Sequence, residues 1–165
     1  MTSRLLLLLF AATLLVPAAP AQPDGAAAST PEEAVRATIE ALFNGMRAGD
    51  SSAVRAVFHE DARLYTALGS GDTSAVRGTP IDAFVEAVGQ PHEKVGDERV
   101  WALEIRVDGP LASAWVPYVL YHGNERSHCG VNAMQFIRYA DGWKLLQITD
   151  TRRQACDVPA EVRGE

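Results

Sequence analysis

The stretch SHCGVNAMQFIRYADGWKLLQITDTRRQAC, residues 127–156, decides the fold of this chain. Apolar and polar residues alternate on both sides of Asp141-Gly142, a pair that favours tight hairpins, so the stretch predicts two antiparallel strands. The two cysteines of the chain, Cys129 and Cys156, bracket it. Upstream, ERVWALEIRV (98–107) and LASAWVPYVLYH (111–122) alternate in the same way around an Asp-Gly-Pro turn, which extends the pattern to a meander.

Before residue 90 the period changes to that of a helix. In TPEEAVRATIEALFNGMRAGD (30–50), Thr30 and Glu33 form a capping box, Pro31 occupies the first helical position and Gly49 ends the run. Val35, Ile39, Leu42, Phe43 and Met46 share one stripe. Asp50 caps a shorter helix, SSAVRAVFHED, and extended residues ARLYTAL follow. A loop, GSGDTSAVRG, then leads to a third helix capped by Thr79 and Pro80 and ending at Gly89. Helices first and a meander second predict an α+β domain with its helices on one face of an antiparallel sheet.

The first residues, MTSRLLLLLFAATLLVPAAPAQP, read as a signal peptide over 1–21: one positive charge, a short apolar core and an A-x-A site. The core is shorter than the roughly 20 apolar residues that span a bilayer, so no membrane anchor is expected after cleavage. The expected product is exported, periplasmic or extracellular, with a linker over 22–29, one domain over 30–156 and a flexible tail over 157–165. The formal net charge of −6 and the scatter of basic residues argue against nucleic-acid binding. Two cysteines in an exported chain favour a disulfide. No His/carboxylate spacing matches a metal motif, and no cofactor is expected.

RAGD at the end of the first helix, FHEDA at the end of the second, HCGVNAMQF, DGWKLL and DTRR together resemble the nuclear transport factor 2-like superfamily, and within it a lumazine-binding-like subgroup. The resemblance covers about residues 30–156 and implies a cone-shaped, cystatin-like fold, its N-terminal helices packed in the concavity of a strongly curved antiparallel sheet. Ketosteroid isomerases of that superfamily place an oxyanion-hole aspartic acid where this chain has Asn132, and a general base where it has Thr66. The resemblance therefore turns Asn132 inward. A threonine without an activating neighbour does not abstract a carbon-bound proton, which counts against steroid-type isomerisation.

If Asp141-Gly142 forms the turn, Ala140 pairs with Trp143 and Asn132 lies opposite Thr151. A turn closed by His122 and Ser127 sets Tyr121 opposite His128. Trp115, Pro117, Val119, Tyr121, His128, Asn132, Met134, Thr149 and Thr151 then share the inner face. Asp150, Arg152, Leu146, Ile148 and Ile137 fall on the outer face, where an apolar stripe points to a homodimer. Cys129 and Cys156 fall on the outer side too, close enough to bridge.

The expected site is a pocket for a small planar or carbonyl-bearing ligand, lined by Trp115, Tyr121, Asn132, Thr66, Thr149 and Thr151. His128 is the candidate acid/base group, with His59 behind it. Two alternatives stand beside ligand binding. One is a cofactor-independent cyclase, dehydratase or isomerase using His128, Asn132 and Tyr121. The other is a homodimeric interaction module whose cone is filled.

Overall fold

A computed structural model of the chain describes residues 29–70 and 73–163. The expected signal peptide and residues 22–28 of the expected linker lie outside the described residues. Two helices open the domain, α1 (Pro31–Ala48) and α2 (Ser51–Val57). Thr30 Oγ1 accepts from the Glu33 amide, and the Glu33 carboxylate accepts from the Thr30 amide, closing the capping box. Gly49 leaves the helix at φ 67°, a left-handed conformation that glycine adopts without steric cost. Asp50 then caps α2 through the Ala53 amide.

The chain continues through β1 (Phe58–Ser70), β2 (Thr73–Pro80), α3 (Ile81–Gly89), β3 (Gly96–Val100), β4 (Glu104–Asp108), β5 (Leu111–His122), β6 (Glu125–Tyr139), β7 (Gly142–Thr151) and the short α4 (Ala160–Arg163). One sheet carries all seven strands in the order β2-β1-β7-β6-β5-β3, with β4 also on β5. It curves around the helices. Val35, Ile39, Leu42 and Phe43 of α1 are buried against Ala112, Ala114 and Val116 of β5, Met134 and Phe136 of β6, and Leu145 of β7.

Several details differ from the expected architecture. The sheet is mixed, because β1 runs parallel to β7. The Gly/Ser-rich segment expected as a loop forms β2, an edge strand with every residue exposed, so it shows no apolar alternation. Thr79 and Pro80 are the last residues of that strand, and α3 starts without a side-chain cap. The single strand expected over 98–107 is broken at Trp101–Leu103, where Ala102 takes φ 46° and divides β3 from β4.

Each hairpin turns one residue earlier than expected, which moves the pairing by two, and a bulge beyond each turn leaves a net displacement of one. Tyr139 pairs with Gly142, so Ala140-Asp141 forms the turn, and a bulge between Gln135 and Phe136 shifts the register again. Asn132 therefore faces Asp150 rather than Thr151. In the other hairpin His122 pairs with Glu125, and Asn132 faces Val116 rather than Pro117. A shift of one residue exchanges the two faces of a strand. On β6, His128, Asn132 and Met134 stay on the inner face, but β5 and, beyond its bulge, β7 are reversed. Asp150 and Ile148 turn in, and Trp115, Tyr121, Thr149 and Thr151 turn out.

Cys129 and Cys156 form a disulfide with Cα atoms 6.2 Å apart. Beside it Cys129 pairs with Arg153, and β7's end passes so close to β6 that a Cβ on Gly130 would meet the Thr151 carbonyl oxygen at 1.8 Å. The segment expected as a flexible tail is packed instead as far as it is described. Val158 is buried with Val119 and Cys129, and Arg99 donates from Nη1 to the carbonyls of Val162 and Arg163. Those contacts cover an outward-facing apolar patch that would otherwise meet water.

Candidate functional site

The concave side of the sheet and the helices enclose a cavity of about 210 Å³. Its apolar wall comes from Leu42, Phe43 and Met46 of α1, Leu64 of β1, Phe84 of α3, Leu120 of β5 and Ile148 of β7. These are the same amphipathic faces that build the core, continued past the point where side chains meet. An open cavity removes the premise of the interaction-module alternative, a filled cone.

Polar groups converge on it from adjacent strands. Glu98 of β3, Tyr118 of β5, His128 and Asn132 of β6, Asp150 of β7, and Arg152 just beyond it all line the cavity, together with Thr66. Asn132 and Asp150 are 5% and 8% exposed, so their polar atoms need partners within the protein or in a ligand. Asn132 Nδ2 donates to Glu98 Oε1 at 2.8 Å. Asp150 Oδ2 accepts from Arg152 Nε at 2.8 Å and from the Tyr118 hydroxyl at 3.2 Å. The same hydroxyl lies 3.1 Å from the Thr151 carbonyl oxygen. Among the described residues, no hydrogen bond uses Glu98 Oε2, Asn132 Oδ1 or the Arg152 Nη atoms, and all three residues line the cavity.

The electrostatics follow from this placement. Burial pushes the Glu98 acid up from 4.5 to about 7; the Asn132 hydrogen bond opposes that, the Asp150 charge adds to it and the Arg152 charge opposes it. Glu98 keeps intermediate exposure because one side of it borders the cavity, while protein surrounds the rest. Burial also raises the Tyr118 phenol, with Asp150 and Glu98 adding to the effect. For His128, burial and the Arg152 charge lower the imidazole, outweighing Asp150. It is therefore neutral at pH 7, packed edge-on against Tyr118 at 5.7 Å with Ser127 Oγ 3.0 Å from its Nδ1.

Of the residues expected at the site, the structure brings Thr66, His128 and Asn132 to the cavity and not the others. Trp115 is 52% exposed on the outer face. Tyr121 lies under the Arg99 guanidinium at 4.6 Å, in the cluster beneath the C-terminal segment. Thr151 accepts from the Val131 amide and Thr149 from Gln147. The expected surface pair of Asp150 and Arg152 exists, but it belongs to the cavity. His59 stacks on Tyr139 at 5.6 Å and lies outside the cavity. With Glu60 and Asp61 it brings ligand-type atoms within 4.8 Å of one another, a cluster with two exposed members and no further feature pointing to a metal.

Glu98 and Tyr118 are the site residues that the sequence did not single out, and Asp150 and Arg152 those that it set on the outer face. A carboxylate in an alternating strand reads as its solvent side. The available signal was that Glu98 shares parity with Val100, whose apolar side chain marks the inner face.

Comparison with known proteins agrees with the fold. The model of a family described as "Putative lumazine-binding" matches residues 30–147. No curated protein matches the sequence. Among solved structures, an NTF2-like protein with a cystatin-like fold from Novosphingobium aromaticivorans superposes with a TM-score of 0.59 at 18% identity, over 80% of this chain and 86% of the other. An NTF2-like protein of unknown function from Pseudomonas putida gives 0.58 at 16% identity, over 78% and 95%. A protein from Streptomyces avermitilis, described as a "putative dehydratase from the NTF2-like family", gives 0.58 at 15% identity, over 75% and 96%. At these identities the likeness concerns the fold.

Proposed function

This chain belongs to the "Putative lumazine-binding" family, and from that premise we propose that its cavity binds a small planar heterocycle carrying carbonyl groups, of the size of lumazine. The observation that carries the reading is the make-up of the cavity lining. It is mostly apolar, and it includes Glu98, Asn132 and Arg152, whose Oε2, Oδ1 and Nη atoms take part in no hydrogen bond among the described residues. Apolar surface for a ring and a few polar groups for its edge are how small-molecule sites obtain affinity and orientation together. A dry cavity of about 150 Å³ accepts benzene, so about 210 Å³ suits one or two fused rings. Export is part of the proposal and is supported by the disulfide, which persists in oxidising compartments. No helix of the described residues is long and apolar enough to cross a membrane.

The test is a titration of the mature protein with lumazine and other one- and two-ring carbonyl heterocycles, followed by calorimetry and by the fluorescence of the ring. Saturable binding that Asn132→Leu abolishes, with the fold intact, is the expected result. No binding across such a set would overturn the reading.

One observation favours a second reading, an enzyme. Glu98 titrates near neutrality in a cavity that also holds a neutral imidazole and a phenol, which is the condition for moving protons at physiological pH. Glu98 would then take the acid/base role expected of His128, and Tyr118 the place expected of Tyr121. Turnover whose pH profile vanishes in Glu98→Gln is its test; a profile that persists removes Glu98.

A further inference from the structure

We propose that the cavity selects its ligand by charge: it takes planar rings that carry a cationic nitrogen group, such as an amidinium, with Glu98 as the counter-ion, and it discriminates against ring carboxylates. The inference rests on the pocket reading above and deepens it, since a carbonyl heterocycle substituted in this way is the preferred member of that class.

Pairing the charged side chains that line the cavity leaves one acid over. Two carboxylates, Glu98 and Asp150, stand against one guanidinium, Arg152. Arg152 Nε lies 2.8 Å from Asp150 Oδ2, so these two charges offset each other. His128 adds no charge, because burial and the Arg152 charge keep its imidazole neutral at pH 7. The cations nearby are engaged as well: Arg47 Nε and Arg99 Nε each lie 2.7 Å from Asp97, the residue before Glu98 on β3. Among the described residues no salt bridge involves Glu98. Its partner is a neutral amide, Asn132 Nδ2 at 2.8 Å, which holds the carboxyl group in place without cancelling its charge.

A carboxylate in a mostly apolar cavity lacks the counter-ion that a desolvated charge requires, and a cationic ligand supplies one. Burial holds the Glu98 acid up to about 7, and at that group the Asp150 charge outweighs the Arg152 charge, so the neighbouring ion pair does not replace a counter-ion. The rest of the lining favours the same ligand. Phe43, Tyr65, Phe84 and Tyr118 border the cavity, and the faces of aromatic rings attract cations. For a ring carboxylate the balance is reversed. It meets a second carboxylate in the same space, and the one guanidinium of the lining is already paired.

Benzamidinium, benzamide and benzoate have nearly the same shape and are a cation, a neutral amide and an anion. The experiment is calorimetry of these three and of lumazine with the mature chain at about pH 8.5, above the value of about 7 at which Glu98 titrates. Benzamidinium should bind at least about tenfold tighter than benzamide, the scale of one hydrogen bond to a charged group, and benzoate should bind weakest. In Glu98→Gln, which keeps an oxygen for Asn132 Nδ2, the preference for the cation should fall below about threefold. The wild type gives a second measure that needs no variant. Between about pH 6.5 and 8.5 the ionised fraction of an acid of about 7 rises from about a quarter to nearly all, so benzamidinium affinity should rise about fourfold and benzamide affinity should stay level. Tyr65 of β1, Tyr118 of β5, His128 of β6, Asp150 of β7 and Arg152 share the cavity with Glu98, while α1 and α3 contribute no ionisable group to it. His128 is lowered by burial and Tyr118 raised by it, out of that range, and the Arg152 guanidinium stays charged. Benzamidinium that does not bind, or binds no tighter than benzamide, overturns this inference and leaves the pocket reading standing if lumazine binds. So does benzoate as the tightest of the three, a level pH profile for benzamidinium, or a cation preference that survives in a folded Glu98→Gln. Failure of lumazine and of all three probes to bind the wild type overturns the two readings together.

Discussion

Replacing Glu98 with glutamine should stabilise the protein in alkaline solution and leave it unchanged in acid. The fold raises the Glu98 acid from 4.5 to about 7, so the native state binds this proton more tightly than the unfolded chain. The sign follows from linkage: the favourable contribution is complete below about pH 4.5 and is lost as the pH rises through 7. A tenfold change in proton affinity is worth 1.36 kcal/mol, so the ionised group costs the native state about 3 kcal/mol once fully deprotonated. Contact with water in the cavity places the expected effect at about 2–3 kcal/mol. Glutamine keeps an oxygen for Asn132 Nδ2 and has no charge to desolvate. Urea unfolding, read from the buried Trp143 with the disulfide intact, should give coincident midpoints for the two proteins near pH 4.5 and a higher midpoint for the variant above pH 8. Parallel profiles across that range, or a variant that is weaker in alkali, would refute the placement of this carboxyl group.

Other consequences can be checked on the same protein. Gly130→Ala sets a Cβ at 1.8 Å from the Thr151 carbonyl oxygen, backbone that cannot rotate away, so a loss of at least about 3 kcal/mol in urea unfolding is expected; an unchanged midpoint would mean that β6 and β7 do not approach there. Removing the bridge with the Cys129→Ser, Cys156→Ser pair opens a loop of 27 residues' separation, worth about 3.5 kcal/mol by chain entropy, and amide exchange should rise first around Val158. Equal stability of the oxidised protein and this variant would deny the bridge its structural role. Trp115→Ala, at a side chain 52% exposed on the outer face, should change stability by under about 0.5 kcal/mol and ring affinity not at all; a loss of affinity would return Trp115 to the pocket.

How far the sequence could be read depended on the range over which each feature is set. The caps of α1 and α2 are local chemistry, Thr30 with Glu33 and Asp50 with Ala53, and they were visible in the letters. So were the sequence of helices followed by a meander, the disulfide and the inward amide of Asn132. Strand faces depend on single-residue register, and unsignalled events moved it in both hairpins: a turn one residue earlier than expected in each, and bulges between Leu120 and Tyr121 and opposite Gln135 and Phe136. Because both hairpins share β6, its own inner face survived while those of its neighbours reversed. That exchange removed Trp115, Tyr121, Thr149 and Thr151 from the expected pocket and introduced Tyr118 and Asp150. Glu98 was illegible for another reason. Only the pairing of β3 with β5, with the chain breaking at Ala102, brings its carboxyl group beside Asn132.

The claim on which the account rests is that ligand meets the protein at the Glu98–Asn132 end of the cavity. Nuclear magnetic resonance of ¹⁵N-labelled protein titrated with lumazine tests it directly, because the Asn132 side-chain amide reports on that end. The account predicts that this amide shifts together with the backbone amides of Thr66 and Leu120, while those of Trp115 and Val158 stay still. Shifts confined to the outer face, with the Asn132 amide unmoved at saturation, would contradict it.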